Sequence, residues 1–299
     1  AQNGHAPVVT LLLADERVNS NMADQVGLTA LMLAEMQGHA PVVTLLLADE
    51  RVNPNMANQH GYTALMWAAL KGHAPVVTVL LADERVNPSM TTPDADGFTA
   101  LMCGATTGHA PVVTVLLADE RVNPNMANQH GYTALMWAAL KGHAPVVTVL
   151  LADERVNPSM TTPDADGFTA LMCGATTGHA PVVTVLLADE RVNPNMTNQD
   201  GTTALLLAAQ QGHTPVVTVL LADQRVDPNV ANQRGRTALM KAARKGHVPV
   251  LELLLADHRI IRTRPANGGD HYDAALFNVK YARHARFKGL VRAVVAFRR

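Results

Sequence analysis

Eight of the thirteen histidines follow a glycine: His5, His39, His73, His109, His143, His179, His213 and His247. An imidazole can move protons near neutral pH, bind a metal or hold a hydrogen bond. Catalysis does not need eight copies of one group, so the repetition points to a structural job, a hydrogen bond across a turn between helices. Cys103 and Cys173 are the only cysteines. Neither is paired with a histidine in a way that suggests a nucleophile, and no glycine-rich phosphate loop is present. A second pattern alternates His60, Asp96, His130 and Asp166. Carboxylates beside imidazoles would raise the histidine pKa values and make a pH-sensitive strip. A metal needs its ligands within ~2 Å of one ion, which residues one unit apart rarely achieve. The sequence therefore predicts no enzyme, no cofactor, no metal site and no small-molecule substrate.

Composition narrows the class further. The chain has 299 residues, 48% hydrophobic and 16% charged, which excludes a disordered chain. A net charge of −1 speaks against nucleic acid as a partner. Two cysteines exclude a disulfide framework and favour a reducing compartment. With no long uncharged apolar run and no basic-then-apolar leader, the expected location is intracellular, cytoplasmic or nuclear. A start at Ala1 instead of Met is what a fragment or a processed product would show, and Arg298-Arg299 is no obvious stop.

The elements that position these residues repeat. Gly-His recurs in steps of 34, 34, 36, 34, 36, 34 and 34 residues, and Thr-Ala-Leu recurs in the same phase from Thr29 to Thr237. Seven full units follow an N-terminal half unit. Residues 46–126 are identical to 116–196 at an offset of 70; a recent tandem duplication explains this most simply, with an assembly error in the sequence or deliberate construction as the alternatives. That register places Cys103 and Cys173 two units apart, ~20 Å on stacked helices. A disulfide needs Cα atoms within ~7 Å, so both are expected as buried free thiols.

Within one unit, Thr63 is the expected N-cap of a helix over Ala64–Lys71, and Gly72 its left-handed stop. Pro75 suits the first turn of a second helix. Val76/Val77 and Leu80/Leu81 lie four apart, on one face of that helix. Asn87-Pro88 and Pro93-Asp94-Ala95-Asp96-Gly97 carry turn chemistry. Arg51 and its equivalents are expected at solvated helix ends, where they suit the dipole. Helices this short need neighbours, so stability must come from stacking.

Asn58-Gln59-His60-Gly61-Tyr62-Thr63-Ala64-Leu65-Met66-Trp67-Ala68-Ala69, followed by Gly72-His73, Val76-Val77 and Leu80-Leu81, resembles the ankyrin repeat. Ala stands for the family proline, Met or Leu for its first histidine, and the connecting loop is one to three residues longer. The resemblance covers roughly 1–257 and recurs seven times. It implies an all-α repeat solenoid of stacked helix-turn-helix units joined by β-hairpin-like loops. It also implies a concave face of hairpin tips and first helices that grips a partner protein or peptide.

Carried onto this sequence, the partner-facing column after the loop glycine reads Leu28, Tyr62, Phe98, Tyr132, Phe168, Thr202 and Arg236. Its four consecutive aromatics would form a ladder ~30 Å long. Trp67 and Trp137 either join that surface or pack in the core. Leu70, Lys71, Leu140, Lys141 and the threonine pairs 106–107 and 176–177 are expected at the rim. The column before the glycine reads Val26, His60, Asp96, His130, Asp166, Asp200 and Arg234.

A basic segment, 258–299, follows the array of 1–257. Its formal charge is +8, against −9 for the rest. Residues 270–282 are expected to cap the open end, and 283–299 to reach an acidic partner or anionic membrane. The main expectation is a non-enzymatic binding scaffold. The rivals are a recruitment module using the basic helix, and the targeting region of a larger enzyme. A truncated first unit would also leave an apolar helix face that invites end-to-end association.

Overall fold

A computed structural model describes residues 1–92, 97–162 and 167–260. It divides into two compact units, Ala1–Asn157 and Pro158–Arg299. The first holds α1 (Ala6–Leu13), α2 (Ala30–Met36), α3 (Ala40–Leu47), α4 (Ala64–Lys71), α5 (Ala74–Leu81), α6 (Ala100–Thr107), α7 (Ala110–Leu117), α8 (Ala134–Lys141) and α9 (Ala144–Ala152). The second holds α10 (Ala170–Thr177), α11 (Ala180–Ala188), α12 (Ala204–Gln211), α13 (Thr214–Ala222), α14 (Ala238–Lys245) and α15 (Val248–Ala256). Among the described residues no strand forms; isolated antiparallel bridges join Ala23 to Thr29, Ala57 to Thr63 and Ala127 to Thr133. Beyond Ile260, the expected capping segment and basic helix lie outside the described residues.

Each helix pair starts and stops as its residues dictate. Thr63 Oγ1 accepts from the Met66 N–H, and Thr99 and Thr133 do the same in their repeats. Gly72 ends α4 at φ 81°, where a Cβ would be strained. Proline occupies the first turn of every second helix from α1 to α15, where a missing N–H costs nothing. In α5, Val76, Val77 and Leu80 are buried, each contributing about 1.5–3 kcal/mol relative to exposure.

Stacking then closes the core in two rows. In the first unit α2, α4, α6 and α8 pack in sequence, and α1, α3, α5, α7 and α9 form the second row. In the second unit the rows are α10, α12, α14 and α11, α13, α15. Met66, Met102 and Met136 are almost wholly buried between successive first helices, and Met172 holds the same place in the second unit. Cys103 and Cys173 are buried free thiols, and burial pushes each up to about 12. Val8, Leu11, Leu12, Met22 and Val26 are large apolar side chains left exposed.

Two polar staples join neighbouring repeats, and each corrects an expectation. The rings of His39, His73, His143, His213 and His247 bond the preceding repeat instead of their own turn. His73 Nε2 donates to the Met36 carbonyl of the preceding repeat at 3.2 Å, and His143 Nε2 to the Thr106 carbonyl at 3.0 Å. The loop arginine does more than suit its own helix end. Arg85 grips Asp83 through Nε and Nη2, and its Nη2 also donates to the Leu47 carbonyl of the preceding repeat at 2.6 Å. That carbonyl lies at a helix C-terminus, where backbone acceptors lack intrahelical partners. Hydrogen bonding from Arg85 holds the Asp83 carboxyl below its ordinary range.

Candidate functional site

In two repeats of the first unit an asparagine shapes the loop that leads into the first helix. Asn58 Oδ1 accepts from the His60 N–H at 3.0 Å and from the Tyr62 N–H at 2.9 Å. Asn128 repeats this for His130 and Tyr132. In the longer loop Thr92 takes over: its Oγ1 accepts from the Phe98 N–H at 2.9 Å, and its N–H donates to the Phe98 carbonyl. These bonds fix where the aromatic after the glycine leaves the chain.

In the first unit the aromatics meet through the tryptophans. Tyr62 and Trp67 have ring centroids 5.3 Å apart, tilted by 39°. Trp137 lies between two rings: Tyr132 of its own repeat at 5.3 Å and Phe98 of the preceding repeat at 5.1 Å. Such tilted pairs are favourable arrangements of ring quadrupoles. All five rings are half-buried, so part of each stays open to solvent. The Lys71 ammonium stands 6.0 Å over Trp67, and Lys141 stands 6.0 Å over Trp137, at the outer reach of a cation–π contact. Leu70 and Leu140 are half-buried beside them. Both indole N–H groups are covered and lack a hydrogen-bond partner among the described residues.

Other expected site residues fall differently. His60 is exposed at its tip, while Asp96 and Asp166 lie outside the described residues. Thr106 and Thr107 turn back, their hydroxyls donating to the Met102 and Cys103 carbonyls at 2.8 Å. Among the described residues no group of three or more histidine, cysteine, aspartate or glutamate side chains could hold a metal. No described helix is long and apolar enough to cross a membrane.

In the second unit Phe168 is half-buried and faces a different neighbour. It lines a recess of about 400 Å³ with Leu207, Thr202, Asp200, Asn198 and Gln210. The recess continues along Arg234, Arg236 and Lys241 into a second one of about 200 Å³, which Arg244 and Lys245 complete. Sequence reasoning missed this cluster. Arg234 and Arg236 stood out only as members of two columns. The signal was present in the spacing of Lys241, Arg244 and Lys245, which are three and four apart on one helix face.

The comparisons agree with the geometry. Comparison with curated proteins returned no match. The family described as ankyrin repeats (3 copies) matches residues 1–92, 53–126, 84–162, 120–197 and 171–264. Ankyrin repeats are generally protein–protein interaction modules, and the family is typically non-enzymatic. The chain belongs to the ankyrin repeat family.

Proposed function

We propose that the chain is a non-enzymatic scaffold that holds a partner protein or peptide on the side formed by its hairpin tips and first helices. The observation that carries this reading is the cluster of Phe98, Trp137 and Tyr132, with Lys141 above it and Tyr62, Trp67 and Lys71 repeating part of the pattern. Half-open rings bury much area at small entropic cost, which makes them good anchors. Leu70 and Leu140 extend the apolar part, and His60 and His130 supply its polar tips. The buried thiols Cys103 and Cys173 support a reducing, intracellular setting. The rival role for residues 283–299, contact with an acidic partner or membrane, rests on sequence alone.

Random-peptide display against the whole chain tests this without knowledge of the partner. Enriched peptides should share a motif, and the Tyr62→Ala/Phe98→Ala/Tyr132→Ala/Phe168→Ala variant should lose at least about tenfold in affinity for them. A circular dichroism spectrum unchanged by the four substitutions would show that the fold is kept. Capture that is equally strong in the variant would remove the aromatic side from the account.

A further inference from the structure

Five cations of the last full repeat stand apart from the other described arginines of their unit. Arg191, Arg225 and Arg259 each hold the aspartate two residues before them, with N–O distances of 2.6, 2.7 and 2.7 Å. Arg234, Arg236, Lys241, Arg244 and Lys245 make no ion pair among the described residues. Yet they share one recess of about 200 Å³ with Gln210. The backbone holds them there. Asn232 Oδ1 accepts from the Arg234 and Arg236 N–H groups at 3.1 and 3.0 Å, and Gly235 between them takes φ 66°. The Lys241 ammonium is fixed by a 2.7 Å bond to Gln210 Oε1. Burial pushes the Lys241 pKa down, Arg236, Arg244 and Arg234 push it the same way, and Asp200 opposes them. Like charges gathered without a counter-ion are destabilising unless an anion joins them.

The adjoining recess says what kind of anion. Its wall carries Phe168 and Leu207 with the amides of Asn198, Asn232 and Gln233, and Asp200 is the one acid among its described lining residues. An apolar and amide-lined trough suits an extended peptide, with side chains on the ring and backbone groups on the amides. A lipid headgroup or a nucleic-acid backbone is anionic throughout. It would leave that trough unfilled and set a phosphate against Asp200.

Resting on the reading of this side as protein-binding, we propose that the cleft takes an acidic segment of a partner protein. Its carboxylates meet Arg236, Lys241 and Arg244, and an apolar side chain beside them rests on Phe168 and Leu207.

The test is fluorescence anisotropy on the full chain. The probe is a short fluorescein-labelled peptide in which a leucine precedes a run of glutamates, beside its glutamine counterpart. The glutamate peptide should bind at least about tenfold tighter, and the preference should fall as salt rises. Arg244→Glu/Lys245→Glu, on two exposed side chains, should abolish the preference, and Arg244→Gln/Lys245→Gln should weaken it with less risk to the fold. Glutamate-peptide binding that survives both variants would overturn the proposal. Phosphatidylserine vesicles or RNA binding through these residues while the peptide does not would also overturn it. Display peptides that enrich on the aromatic side but show no acidic preference would leave the scaffold reading standing and remove only this cleft.

Discussion

The Glu35→Ala variant is expected to be more stable than the native chain, and the gain should grow as pH rises. Glu35 lies on α2 at the column that holds Ala69, Ala105, Ala139, Ala175, Ala209 and Ala243 in the other repeats. It is wholly buried, and neither carboxyl oxygen has a hydrogen-bond partner among the described residues. Burial pushes its pKa well above the ordinary value of 4.5. Even the neutral acid leaves polar groups unpaired, which costs about 1–3 kcal/mol. The unfolded chain releases this proton near pH 4.5, whereas the folded chain keeps it. Stability is therefore fully retained below 4.5 and falls as pH rises towards the folded pKa, by up to ~1.4 kcal/mol per pH unit. Urea unfolding of both proteins from pH 5 to about pH 8 measures the gap. A gap that widens with pH supports the reading, and Glu35→Gln should remove the pH dependence but keep the unpaired-group cost. A pH-independent difference, or a loss of stability in Glu35→Ala, contradicts it.

Gly108→Ala should be among the most damaging single methyl additions in the first unit. Gly108 ends α6 at φ 82°, a conformation that costs a residue with a Cβ about 1–2 kcal/mol. The new Cβ would lie 2.7 Å from His143 Nδ1 and 3.1 Å from its Cγ. The body of the ring must therefore move, not only its edge. Its bond to the Thr106 carbonyl, worth about 1 kcal/mol, goes with it. A total loss of about 2–3 kcal/mol is expected from these two parts. In a stacked array the loss should split the unfolding curve, because each repeat leans on its neighbours. Chemical denaturation followed by circular dichroism reads both effects. Gly235→Ala is the control: φ is positive there too, but an added Cβ meets nothing within 4 Å. It should therefore cost less than Gly108→Ala; an equal cost would assign the effect to backbone strain alone.

Much of the fold was legible because its determinants are local. Thr63, Gly72 and Pro75 mark a start, a stop and a restart within one unit, and the valine and leucine spacing marks the buried face. The staples were not legible, because they join residues 37 or 38 apart in sequence. Repetition in every unit said that His73 has a structural job, and Arg85 was expected only at a solvated helix end; only stacking shows that the acceptor of each belongs to the repeat before.

The candidate site divides in the same way. The aromatic column could be read off the repeat, but not that Phe98 reaches Trp137 in the next repeat. The cationic cleft was hidden because reading by column separates Arg234 and Arg236 from Lys241, Arg244 and Lys245, which the fold joins. Glu35 was overlooked, although it is the one acid in a column that is otherwise alanine.

Trp67 and Trp137 are the only tryptophans, and both belong to the proposed binding side, so intrinsic fluorescence reads it directly. The decisive measurement is indole emission of the whole chain while a peptide enriched by display is added. The account predicts a shift or quench that saturates with the same Kd as labelled-peptide anisotropy and is lost in Trp67→Phe/Trp137→Phe, while anisotropy still reports binding. Saturable peptide binding with unchanged emission from both indoles would contradict it.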